Sequence, residues 1–149
     1  MVPVELLKRM DVFEGLTEED LRKIAAIAEE RTYDAGQMIF AENDMATKLF
    51  LVQEGRVAIQ FALGDRRRAT VQTVGKGHLV GWSALVEPYR FTASAVAVVP
   101  SRLIAVDGQG LQELFQADCR LGFIIMHRLA VIISERLRDT RLQLISLYA

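Results

Sequence analysis

The sequence predicts an α+β fold. About eight short antiparallel strands, closed as a barrel or sandwich, lie between N-terminal helices and a long C-terminal helix. Three observations carry this. Before residue 31 and after residue 107, apolar residues recur at three- and four-residue spacing, the period of an amphipathic helix. Between Thr32 and Val106 the chain breaks into short apolar or alternating runs separated by turn residues. Its 149 residues suit one domain, 1–149, with a core large enough to need no disulfide.

Each element has a local reason. Leu6, Leu7 and Met10 predict a short first helix. A second follows in LTEEDLRKIAAIAEE, from about Thr17 to Glu30, so that residues 1–31 read as helical. Thr17 is the candidate N-cap: its hydroxyl can accept from the N–H of Asp20, and acids fill the electropositive first turn. Leu21, Ile24, Ala25 and Ala28 make its apolar face.

The barrel, 32–106, takes its strands from MIFA, KLFLVQ, RVAIQFAL, RATVQTV, HLV, FTASAVAVV and SRLIAV. DAG, AENDMAT, EG, GD, GKG, EPY and PS separate them. Glu54-Gly55 and Gly64-Asp65 sit where tight hairpins need positive φ. Asn43 lies in a turn and tolerates the same conformation.

Residues 107–149 return to helix. Asp107 is the candidate cap of a short one, with Leu111, Leu114 and Phe115 facing inward. From about Asp118 to Leu147 there is no proline and no glycine beyond Gly122, so one helix of ~45 Å is expected. Met126, Ala130, Ile133, Leu137, Thr140, Leu144 and Leu147 step alternately by four and three, an a/d seam. The seam either packs on its own barrel or pairs with a second copy. A small barrel cannot cover so long a helix, which favours a homodimer through the C-terminal half. Thr140 weakens such a seam while helping to set its register.

Composition narrows the function. A formal charge of −1 gives no general attraction for nucleic acid or membrane. No apolar run approaches the ~18 residues of a membrane span. The start, MVPVELLKRMDVFEG, has no apolar core of signal-peptide length. Cys119 is the only cysteine, so no internal bridge forms. A soluble, cytoplasmic protein is expected.

Gly81-Trp82-Ser83-Ala84-Leu85 approximates a hydrolase nucleophile elbow, but Leu85 replaces the closing glycine and the setting is antiparallel. Neither His78 nor His127 is placed as a base, and with Cys119 their spacing fits no zinc pattern. The expectation is a non-enzyme without a metal. Arg66-Arg67-Arg68 reads as solvated charge at a hairpin tip. Arg120, Arg128, Arg136, Arg138 and Arg141 read as surface charge flanking the seam, and nothing suggests direct DNA reading.

Three stretches, in order, carry a family resemblance: DVFEGLTEEDLRKIAAIAEERTYDAGQMIFAEND, then KLFLVQEGRVAI, then VGWSALVEPYRFTASA at Val80–Ala95. The chain resembles the cyclic-nucleotide-binding domains of catabolite-activator-type bacterial regulators and kinase regulatory subunits. The resemblance implies a double-stranded β-helix, or jelly roll, with a phosphate-binding cassette over 80–95. The implied ligand is cyclic AMP, cyclic GMP or a related anionic small molecule.

In that family the cassette reads Gly-Glu-(Leu/Ile)-(Ala/Gly)-Leu, a variable loop, then Arg-(Ser/Thr)-Ala. Free N–H groups after the glycine face the cyclic phosphate, and the arginine neutralises it through forked, charge-assisted hydrogen bonds. Gly81, with Val80 before it, matches the opening; Ser83, Ala84 and Leu85 match the short helix; Thr92 and Ala93 match the close. Two charged positions depart. Trp82 stands where the ribose-binding glutamate is expected, and Phe91 where the arginine is expected. Trp82 reads as a lid or stacking surface, or as an aromatic that fills the pocket. Arg90, one place early, is the candidate cation. It faces the cassette if it precedes the strand, and turns away if strand parity applies.

Two functions follow. One is a sensor module that signals through its C-terminal helix to a separate effector. The other is a dimeric interaction module that kept the fold and lost nucleotide binding. The activators of this family carry a DNA-binding domain after the long helix, and the sequence here stops before one.

Overall fold

The computed structural model describes residues 1–148, and Ala149 lies outside the described residues. In chain order the elements are α1 (Val4–Leu7), a 3₁₀ turn (Asp11–Phe13), α2 (Glu18–Ala25) and β1 (Ala28–Tyr33). Then come β2 (Met38–Phe40), β3 (Lys48–Glu54), β4 (Val57–Leu63), β5 (Arg67–Val74) and β6 (Leu79–Val80). A second 3₁₀ turn (Trp82–Leu85), β7 (Ser94–Ala97), β8 (Ser101–Asp107), α3 (Gly108–Ala117) and α4 (Cys119–Ser146) complete the chain. The strands form two antiparallel four-stranded sheets, ordered β1-β8-β3-β6 and β2-β7-β4-β5. This is the expected jelly roll.

The two sheets are buried differently. Leu49, Phe50, Leu51 and Val52 on β3 are all buried, as are Leu103, Ile104, Ala105 and Val106 on β8. Burial at consecutive positions means cover on both faces. The helical elements supply the outer cover, with α2 against β1, α3 against β8 and the second 3₁₀ turn against β3. The β4–β5 hairpin emerges from the core after Val57 and Ala58, and its far end is exposed. No helix among the described residues is long and apolar enough to cross a membrane.

The caps form as the side chains dictate. The N–H of Asp20 donates to Thr17 Oγ1 at 3.1 Å, and the N–H of Thr17 donates back to Asp20 Oδ2 at 3.0 Å, a reciprocal capping box. Asp107 Oδ2 accepts from the N–H of Gly110 at 2.8 Å and starts α3. Asp20 is also buried, and Arg120 on α4 donates to its Oδ1 at 2.6 Å. That guanidinium holds the Asp20 carboxyl below the usual carboxylate range, against the opposing effect of burial. The pair ties the first turn of α4 to the start of α2.

One boundary is corrected. Helix was expected through Glu30, and the N-terminal helical region to residue 31, but α2 ends at Ala25 and Ala28 already belongs to β1. Ala28 through Tyr33 pair in unbroken register with Val106 through Ser101. Alanine and glutamate favour helix, and six residues of ladder beside a central strand outweigh that preference.

α4 is as long as expected. Leu121, Ile125, Leu129 and Ile132 face its own core. The predicted seam lies on a different stripe and is largely uncovered: Leu137 is 48% exposed, Leu144 55% and Leu147 80%. Ile133 departs from this, since it packs against the domain's own core.

Candidate functional site

The site begins at Gly81. Its φ of 81° and ψ of 36° are left-handed, where glycine costs nothing and other residues are strained. A Cβ there would lie 3.1 Å from Phe91 Cε1 and 3.3 Å from Phe40 Cε2. Both the backbone angle and the packing therefore call for glycine. The turn launches the 3₁₀ segment Trp82–Leu85, where the N–H of Ala84 donates to Gly81 O at 3.2 Å and that of Val86 to Ser83 O at 3.3 Å. Among the described residues the N–H groups of Trp82 and Ser83 meet no backbone acceptor, as befits the first positions of a helical turn.

Beside this turn lies a cavity of about 250 Å³. Its walls are mostly apolar: Phe40 from β2, Ile59 and Phe61 from β4, Val71 from β5, and Phe91 and Ala93 next to β7. Gly81, Trp82, Ser83 and Thr92 border it on the cassette side. Ile133, Arg136, Leu137 and Thr140 close it from α4. Gln72, Ser83, Thr92 and Thr140 are its uncharged polar lining.

Of the expected ligand-binding residues, Gly81, Trp82, Ser83, Thr92 and Ala93 therefore meet at one cavity. Val80, Ala84 and Leu85 are buried in the core and do not line it. Three seam residues, Ile133, Leu137 and Thr140, line it instead of serving only a helix pair.

Arg90 is corrected. It is exposed, does not line the cavity, and donates from Nη1 to the carbonyl of Asn43 at 2.9 Å. It pairs with Met45 in an isolated antiparallel bridge, so it has already joined extended backbone, and its neighbour Phe91 takes the inward face. Phe91 is 5% exposed and stacks on Phe40 with ring centroids 3.8 Å apart. Trp82 does not fill the cavity; it is half-buried at the rim.

The cation at the cavity is one that sequence reasoning assigned to the surface. Arg136 donates from Nη2 to the carbonyl of Leu79, and its guanidinium carbon sits 5.1 Å from the centroid of the Trp82 ring. That is a cation–π arrangement, worth more where water is partly excluded. Burial pushes the Arg136 pKa down, and the charge of Asp11 opposes this. A guanidinium nonetheless stays protonated in a protein. The signal was present: Leu121, Ile125, Leu129, Ile132 and Arg136 step by four, four, three and four. An arginine continuing a core-facing stripe is a cation directed at the barrel.

A barrel with an apolar cavity, a glycine-led turn at its rim and a helix-borne cation defines a small-ligand-binding domain. The chain belongs to the cyclic nucleotide-binding domain family, whose model matches residues 30–118. It is 32% identical to the Cyclic AMP receptor protein of Thermus thermophilus over 139 residues, which cover 93% of this chain and 62% of that protein. The crystal structure of the Thermus thermophilus Catabolite Activator Protein aligns with a TM-score of 0.75 and 30% identity, over 93% of this chain and 63% of that one. A Geobacter metallireducens GS-15 protein, solved as a candidate cyclic nucleotide-binding protein, aligns with a TM-score of 0.83 and 35% identity, over 92% of this chain and 99% of that one. The chain thus spans less than two thirds of the Thermus regulator.

Proposed function

We propose that this domain is a regulatory sensor for a cyclic nucleotide of the cyclic AMP or cyclic GMP type. It reports to a separate effector through α4 and acts in the cytoplasm. One observation carries the reading: a single cavity is walled on one side by Gly81–Ser83 and on the other by α4 between Ile133 and Thr140. A ligand there touches the turn and the helix together. It can shift the helix only by binding one of its positions better than another. The Thermus relative, by name a receptor for cyclic AMP, supports the ligand class.

Titration calorimetry with cyclic AMP and with cyclic GMP tests this. Saturable heat with a dissociation constant in the micromolar range, about −8 kcal/mol, is the expected result. No heat from either at millimolar concentration defeats the nucleotide reading. It would favour the interaction module instead, for which Phe91 at the family's arginine position is the supporting observation.

The reading includes a homodimer along α4. Exposed Leu137, Leu144 and Leu147 support it, with Met126 at the near end and Ala130 and Thr140 between. Light scattering should give twice the chain mass of 16.7 kDa. Leu144→Glu should give the monomer, because a charge at an a-like position cannot be buried unpaired. A wild-type monomer at high micromolar concentration would end this part of the proposal.

A further inference from the structure

We propose that the cavity takes a singly charged organic anion with an apolar or aromatic body, and that Arg136 on α4, not an arginine of the 80–95 segment, receives its charge. This rests on the reading above for the place of the site and specifies the chemistry of its occupant.

The charge balance of the cavity comes first. Arg136 is the only charged residue among its fifteen described lining residues. One positive charge with no carboxylate in the lining matches one negative charge on a ligand. A second negative charge would enter an apolar space without a partner, which is costly.

Arg136 is also under-satisfied. A guanidinium has five N–H donors. Here one hydrogen bond to the Leu79 carbonyl is formed, and the Trp82 ring lies against the group. Among the described residues no carboxylate comes within 4.0 Å of it. The contrast lies on the same helix. Arg120 is paired with Asp20 and Asp118, and Arg128 with Glu14. Those arginines have carboxylate partners within the domain; Arg136 is held half-buried at a cavity wall with only a carbonyl and a ring against it.

The body of the ligand follows from the remaining wall. Phe40, Phe61, Trp82 and Phe91 offer ring faces and edges, with Ile59 and Val71 between them. Rings prefer offset or edge contacts with other rings, so a flat aromatic body suits this wall. Gln72, Ser83, Thr92 and Thr140 supply a few hydrogen bonds for orientation. A cyclic nucleotide, with one phosphodiester charge and one base, falls within this class, as does an aromatic sulfonate or carboxylate.

The test uses naphthalene-1-sulfonate as an anionic probe, its uncharged sulfonamide as the matched neutral probe, and cyclic AMP and cyclic GMP in parallel. Arg136→Gln should weaken sulfonate binding at least ~10-fold, as expected for loss of a charge-assisted contact. Arg136→Lys should fall between it and wild type, since it keeps the charge without the fork. Arg90→Gln should bind as wild type does. The sulfonamide should bind wild type and Arg136→Gln alike. Equal sulfonate binding by wild type and Arg136→Gln overturns the inference, and leaves the sensor reading intact if a cyclic nucleotide still binds. Arg136-dependent sulfonate binding without nucleotide binding supports the inference and defeats the nucleotide reading. Binding of none of the probes defeats both. If the glutamine variant does not fold, the wild-type comparison decides: a sulfonate that binds no tighter than the sulfonamide overturns the proposal.

Discussion

Leu129→Ala is expected to lower the unfolding free energy by roughly 2–5 kcal/mol, the usual range for removing a leucine from a packed core. Leu129 is 1% exposed and belongs to the single buried cluster that joins α4 to the barrel. It sits between Ile125 and Ile132, both buried, so a cavity left there cannot drain to solvent. The barrel cannot easily collapse into it either, because β3 and β8 are covered on both faces. At about 2–4 °C per kcal/mol for a chain of this size, the melting temperature should drop by roughly 4–20 °C. Leu142→Ala, on the exposed second half of the same helix, should change stability by no more than about 0.5 kcal/mol. Thermal and urea denaturation of the two variants measure the contrast. Similar losses at both positions would mean that Leu142 is packed as closely as Leu129.

Gly81→Val is expected to cost about 1–3 kcal/mol in stability and to abolish ligand binding. Two effects add. A β-branched residue resists a φ of 81°. The new side chain also grows into the Phe40–Phe91 stack, whose nearest ring atoms already lie 3.1 and 3.3 Å from the Cβ position. Relief requires moving either the rings or the turn, and the turn carries Trp82 and Ser83, which line the cavity. Gly36→Val separates the effects. Gly36 has a comparable φ of 85°, and a Cβ there would meet nothing within 4 Å. Its variant should show the conformational cost alone and bind ligand normally. Calorimetry and urea denaturation of the pair give both quantities. A Gly81→Val protein that binds as wild type does would show that the turn is not part of the site.

Local chemistry was legible in the sequence. Thr17 and Asp107 cap because their side-chain oxygens reach N–H groups three residues on, and nothing distant is needed. Asn43, with φ 75°, and Gly55, with φ 99°, mark turns for the same reason. The jelly roll followed from the rhythm of short runs and from the ordered family motifs. What failed was set by distant partners. The end of α2 was misplaced because Ala26 to Glu30 suit a helix, and only β8 makes Ala28 a strand. Local sequence allows Arg90 either face. The deciding facts are its bridge to Met45 and the hydrogen bonds of Asn43 and Asp44 with Phe91, made across nearly fifty residues. Arg136 reads as one of five surface arginines by charge alone, and only the inner stripe, continued one step past Ile132, turns it toward the barrel. The cation at the cavity stands on α4, outside the 80–95 segment.

The hydrogen bond from Arg136 to Leu79 has a mechanical side. Ten further residues run on from it to Ser146, and among them Gln143 donates from Nε2 to the Val71 carbonyl of β5 at 3.0 Å. They extend about 15 Å as a rod without a proline or glycine hinge. Fastened at Arg136 and again at Gln143, this stretch is pinned to the barrel at two points, so a shift where the guanidinium rests is carried along it as one rigid piece.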